Sequence, residues 1–208
     1  MDEVNEMRNF DEERLERERI LRMIPTEMVD ALSVFVGKKI KELYSLYYRT
    51  PEEKMDSYWS RFPYEGIKLC DSFSLNADFL SIVFSDDSCI SLTVEEEIIS
   101  VLISVGNAQE LVWGRGLASV IPSDDPVYST RDWVGVPGKV IAGFSVVYRK
   151  DMYPGCQARP FECGIAIHLT DGSEFFYGDN IHKTNSSPSV FFEKDLLDRD
   201  KLVIERLV

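Results

Sequence analysis

Two hydrophobic rhythms divide the chain. Up to about residue 62 apolar side chains recur at helical spacing; from Gly66 they mostly alternate with polar ones. Residues 1 to 24 predict a helix with opposite charges three and four apart (Glu12, Glu13, Arg14, Glu16, Arg17) and a thin apolar face of Phe10, Leu15, Ile20, Leu21 and Ile24. A stronger helix is predicted from Pro25, with Met28, Leu32, Phe35, Val36, Ile40, Leu43, Tyr44 and Tyr47 as its buried stripe and Gly37 as an interruption. "TPEE" opens a third: Thr50 is placed as N-cap, Pro51 in the first turn and Glu53 closing a capping box. The aromatics Tyr44, Tyr47, Tyr48, Tyr58, Trp59 and Phe62 are expected to form the seam between these helices.

The alternating part contains a repeat. "LSIVFSDDSCISL" (80 to 92) and "IAIHLTDGSEFFYG" (165 to 178) both read as strand, tight turn, strand. Leu80, Ile82 and Phe84 match Ile165, Ile167 and Leu169, and Ser-Asp-Asp-Ser matches Thr-Asp-Gly-Ser at an offset of 85 residues. Gly172 supplies a left-handed turn residue, and Asp87 tolerates that conformation at the matching place. For the preceding strands, "IKLCDSFSL" (67 to 75) is laid on "GKVIAGFSVVY" (138 to 148) at an offset of 71, which gives the second copy 14 extra residues in its first connection. Residues 95 to 110 read equally as strand or helix. The predicted fold is α+β: a helical segment, 1 to 62, packs on an antiparallel β-rich body, 63 to 208. That body is built from two similar meanders, about 66 to 94 and 138 to 180, and the sheet can curl into a half-barrel.

Composition changes this picture little. The 208 residues are 44% hydrophobic and 28% charged, as expected of a globular chain. No apolar run reaches the roughly 20 residues of a membrane span, and the charged first residues are unlike a secretory leader. The expected location is the cytoplasm. Cys156 and Cys163 flank a loop-like stretch and can in principle pair, but without an export signal all four cysteines are expected as thiols.

The net charge of −13 is uneven: residues 67 to 125 hold ten acidic side chains against Lys68 and Arg115. Such a field repels nucleic acid and anionic membranes and steers basic partners. Asp78, Asp86, Asp87, Glu95, Glu96, Glu97, Asp124 and Asp125 are therefore the candidate partner-binding residues, with Trp113 as an aromatic anchor. Asp86 and Asp87 belong at the hairpin tip and Glu95 to Glu97 towards the other end, which makes two clusters. Trp113, Trp133 and Tyr128 can alternatively be buried, which is the reading favoured here.

Catalytic motifs are absent. GxSxG, HExxH and GxxxxGK[ST] do not occur. "DGSEFFYGDN" lacks the alternation of a calcium loop, and His168 and His182 have no zinc-type spacing to the cysteines. His168 reads as a surface or packing residue on the strand face opposite Ile167. No enzyme activity, metal or cofactor is expected.

An acidic chain with doubled meanders, a "DGS" hairpin and no catalytic set resembles bacterial immunity proteins of contact-dependent or polymorphic toxin systems, over roughly residues 66 to 180. The resemblance implies a stoichiometric inhibitor that covers the basic active-site surface of a toxin, commonly a nuclease. Competing readings are a small-molecule-binding or enzymatic half-barrel with an inner pocket lined by His168 or the tryptophans, and an assembly subunit.

Overall fold

A computed structural model describes residues 23–47, 50, 53, 68–74, 77–95, 100–108, 119–150, 162–182, 189–192, 197 and 200–208. Among the described residues, ten strands form two five-stranded antiparallel sheets. The first contains β1 (Ile40–Tyr47), β2 (Phe79–Phe84), β3 (Ser88–Glu95), β4 (Ser100–Asn107) and β5 (Ser119–Pro122), in the order β4-β3-β2-β1-β5. The second contains β6 (Ile141–Arg149), β7 (Glu162–Leu169), β8 (Glu174–Gly178), β9 (Ser189–Phe191) and β10 (Leu202–Arg206), in the order β10-β6-β7-β8-β9. Neither sheet closes into a barrel.

The helix expected from Pro25 is largely replaced by strand. Among the described residues, helix before β1 is confined to a 3-10 turn, Pro25–Met28, and one short helix, Val29–Ser33. The helix ends at Ser33, Gly37 turns the chain at φ 85°, and residues 40 to 47, expected as helix, form β1. A β-bulge explains the misreading. The register shifts between Ile40 and Glu42, so Ile40 and Leu43 both face the core although they stand three apart. That spacing mimics a helical stripe. Thr50 and Glu53 do exchange the two hydrogen bonds of a capping box, at 3.2 and 3.0 Å. The helices expected at 1 to 22 and beyond Glu53 lie outside the described residues. Residues 100 to 107, ambiguous in sequence, are strand.

The two sheets share one strand topology, and the structural repeat begins elsewhere than the sequence alignment places it. Its first strand is β1, not residues 67 to 75, where Leu69–Asp71 is a 3-10 turn. Gly37-Lys38-Lys39-Ile40 corresponds to Gly138-Lys139-Val140-Ile141, and both glycines have positive φ, 85° and 95°. Both copies carry a bulge one residue into the first strand. Both return their fifth strand to the outer edge of the first: Pro122 faces Tyr44, and Arg206 faces Ser145. The longer first connection belongs to the first copy, residues 48 to 78 against 150 to 161, which reverses the sequence alignment.

The copies meet about a pseudo-twofold. Lys39 and Val140 form an antiparallel bridge. Around it, Gly37 N–H donates to Ile141 O at 2.9 Å and Gly138 N–H to Ile40 O at 2.8 Å. Ile40 N–H donates to Lys139 O at 2.8 Å and Ile141 N–H to Lys38 O at 3.0 Å. The inner faces share one core, in which Leu80, Ile82, Phe84, Ile90 and Leu92 of the first sheet join Phe144, Ile165, Ile167, Phe175 and Tyr177 of the second. β2 and β7 are buried on both faces, so their near-continuous apolar runs follow from position. The link between copies folds the short helix Arg131–Val134 onto the core. There Trp133, 2% exposed, meets the rings of Phe73, Phe175 and Phe192 and donates its indole N–H to Ser74 Oγ at 2.7 Å. The expected burial of Trp133 is therefore observed.

The stretch before β1 straps the two sheets together. Met23 exchanges two backbone hydrogen bonds with Ile103 on β4. Thr26 donates its N–H, at 2.9 Å, and its hydroxyl to the carboxylate of Glu162, at the start of β7. Glu162 is only 2% exposed; it satisfies the donors at a helical N-terminus from a different sheet.

Candidate functional site

The hairpin tips order their aspartates by local hydrogen bonds. Asp86 accepts from Ser88 N–H at 3.2 Å, and Asp171 accepts from Ser173 N–H at 3.0 Å and Ser173 hydroxyl at 2.6 Å. A lysine preceding the first strand of the same copy reaches each tip. Lys38 Nζ lies 2.7 Å from Asp86 and 3.0 Å from Ser88 Oγ; Lys139 Nζ lies 3.0 Å from both Asp171 and Ser173 Oγ. Asp87 is paired as well, with Lys41 at 2.9 Å. The Asp86 carboxyl is held well below its usual range, first by Lys38 and then by Ser88. That of Asp171 lies at about 2, held there first by Ser173 and then by Lys139. The Lys41 ammonium is raised by Asp87.

The sequence-predicted acids thus fall at two ends of the first sheet. Asp86 and Asp87 sit at the tip. Asp124, just beyond β5, approaches the same end, where its charge, after burial and the neighbouring Glu42, helps raise the Tyr44 phenol; that phenol donates to Glu42. Asp125 accepts Val127 N–H at 2.8 Å within its own turn. Asp78 and Glu95 lie at the far end: the Asp78 carbonyl accepts from Thr93 and Tyr177, and Glu95 closes β3 opposite Ser100. Glu96, Glu97 and Trp113 lie outside the described residues. The sequence reading missed the lysines that engage the tip.

A second polar constellation crosses the outer face of the other sheet. Ser145 on β6, His168 on β7 and Glu174 on β8 form a chain. Ser145 Oγ is 2.7 Å from His168 Nε2, and His168 Nδ1 is 3.2 Å from Glu174 Oε2. His168 faces both Glu174 and Gly143 across its ladders. Gly143 has φ 153°, and a Cβ there would stand 2.0 Å from the Arg206 guanidinium and 2.3 Å from Val208 O. Only glycine lets Arg206 lie here, where it donates to Ala142 O at 2.9 Å. The matching positions of the first copy are Tyr44, Val83 and Cys89, which pack in an apolar cluster with Leu46 and Phe79. The 85-residue offset already pairs His168 with Val83 and Glu174 with Cys89 in the sequence.

Cys70 is a free thiol; Cys89 and Cys163 are buried in β3 and β7, and Cys156 lies outside the described residues. His182 packs edge-on against Phe191, and burial lowers its pKa. Among the described residues, no three His, Cys, Asp or Glu side chains are grouped to hold a metal, and no helix is long and apolar enough to cross a membrane. No family model, curated protein or solved structure matches this chain.

Proposed function

We propose that the protein acts by binding a basic protein partner through the acidic first repeat, in the manner of an immunity protein that covers the active-site surface of a toxin. The observation that carries this reading is the charge asymmetry between the repeats. Residues 37 to 125, the first repeat, hold 15 acids against eight bases, whereas residues 138 to 208, the second, hold ten against nine. An exposed ion pair contributes only about 0–1 kcal/mol, so such a surface works through number, by accelerating encounter and rejecting anionic partners. The tip aspartates are engaged by lysines. Glu95 and Asp124, for which no side-chain ion pair occurs among the described residues, are the sharper contact candidates.

The test is association of the purified chain with the basic toxin domain encoded beside its gene, followed at low and high salt. A one-to-one nanomolar complex is expected, with association slowing as ionic strength rises. Glu95→Lys with Asp124→Lys should reduce the association rate about tenfold or more. An association rate indifferent to salt and to both reversals would overturn the reading.

A further inference from the structure

The geometry points to Ser145 as an activated nucleophile, with His168 its general base and Glu174 the group that orients the imidazole: an acyl-transfer centre for small carboxylic esters on the outer face of the second sheet. This goes beyond partner binding and rests on different residues in a different sheet.

Three features carry it. The first is connectivity. With its Nδ1–H directed at Glu174, 3.2 Å away, the His168 ring has the tautomer whose Nε2 lone pair faces Ser145 Oγ at 2.7 Å. Nucleophile to base and base to orienting acid are the two links that activate a hydroxyl. All three side chains stand on adjacent paired strands, so the ladder fixes their spacing. The second is that the fold does not require a polar chain here. The first copy builds the same three positions from Tyr44, Val83 and Cys89 within an apolar cluster, and a part-buried polar network is costly where apolar packing would serve. The third is the surroundings. Arg206 faces Ser145 across the β10–β6 ladder, with its guanidinium laid over Gly143. It puts a positive charge beside the place where a carbonyl oxygen would turn negative. Arg206 is exposed, and the side chains of His168 and Glu174 retain 21% and 18% of their surface. Ser145 itself is 3% exposed.

The chemistry balances within the site. Ser145 Oγ bonds to the ester carbonyl carbon while its proton passes to His168 Nε2. The carbon–alkoxy bond then breaks, and that proton leaves with the alcohol. Water attacks the acyl-serine by the same route, giving its proton to His168, and the acid departs as Ser145 is restored.

The experiment uses the full chain with a fluorophosphonate probe, read by intact mass and peptide mapping, and with p-nitrophenyl acetate over a range of pH. One adduct, on Ser145, is expected, together with hydrolysis that rises with pH through a single ionisation. Ser145→Ala should abolish both. Glu174→Gln should lower kcat about 10²–10⁴-fold with KM little changed. His168→Val places the first repeat's residue at the same position; it should keep the unfolding midpoint within a few degrees while losing the adduct. Absence of an adduct on Ser145, or equal hydrolysis by wild type and Ser145→Ala, would overturn the proposal. All three variants should bind the basic partner normally, which separates failure of this centre from failure of the partner reading.

Discussion

Asp87 and Gly172 hold the same place in the two hairpin turns, at φ 61° and 85°. The left-handed conformation costs most residues roughly 1–2 kcal/mol, and aspartate less because its short polar side chain bonds locally. Nothing lies within 4 Å of a Cβ at Gly172, so substitution there tests the backbone alone. Gly172→Ala should destabilise by about 1–2 kcal/mol in urea unfolding, and Gly172→Asp by measurably less; an equal loss from both would refute the argument. The neighbouring carboxyls set the response to acid. Because Asp86 and Asp171 have lower pKa values folded than the ordinary 3.8, the folded state is favoured above that value. The contribution fades as pH falls through it towards 2. Both groups are exposed, so the effect is small and should shrink further in high salt. Lys38→Met with Lys139→Met should flatten the acid limb of the stability profile.

Elements were legible where local chemistry and burial agreed. Both hairpins were visible because a Ser/Thr-Asp-x-Ser turn separates strands whose alternation matches the pleat. β1 was not, because its bulge converts a spacing of two into three and presents Ile40 and Leu43 as a helical stripe. The true alignment was nonetheless spelled out by Gly-Lys-x-Ile at 37 to 40 and 138 to 141. It was masked by the coincidence of Phe73-Ser74 with Phe144-Ser145. The candidate site was less legible than the fold. The hydroxyl, the imidazole and the carboxylate come from three strands, and no short motif joins them; only the pairing register does. The short Arg131–Val134 element depends on tertiary contacts. Trp133→Ala removes four aromatic or hydrogen-bonding contacts from a 2%-exposed site and should cost about 3–5 kcal/mol, read as a fall in the denaturant midpoint. A loss below about 1 kcal/mol would mean that the link merely covers a core complete without it.

Over the whole molecule, the core decides cooperativity. Side chains of both inner faces belong to one cluster, while Met23 and Thr26 tie the strap to β4 and to Glu162. The sheets should therefore unfold together, with tryptophan fluorescence and far-ultraviolet circular dichroism tracing one coincident transition. Two resolved steps would show that each sheet stands by itself. Sequence reading captured the two hairpins and their turns, but not that their sheets face one another, since alternation specifies which side chains are buried and not against what.

The bridge between Lys39 and Val140 has a further consequence. Its flanking bonds, Gly37 to Ile141 and Gly138 to Ile40, are reciprocal, as at an isologous contact between identical subunits. A lone five-stranded unit would expose that seam with its donors and acceptors already self-complementary. Fusing two units in tandem keeps the symmetry of a homodimer while releasing each half to diverge: one outer face could stay greasy at Tyr44, Val83 and Cys89 while its twin acquired a serine, a histidine and a glutamate.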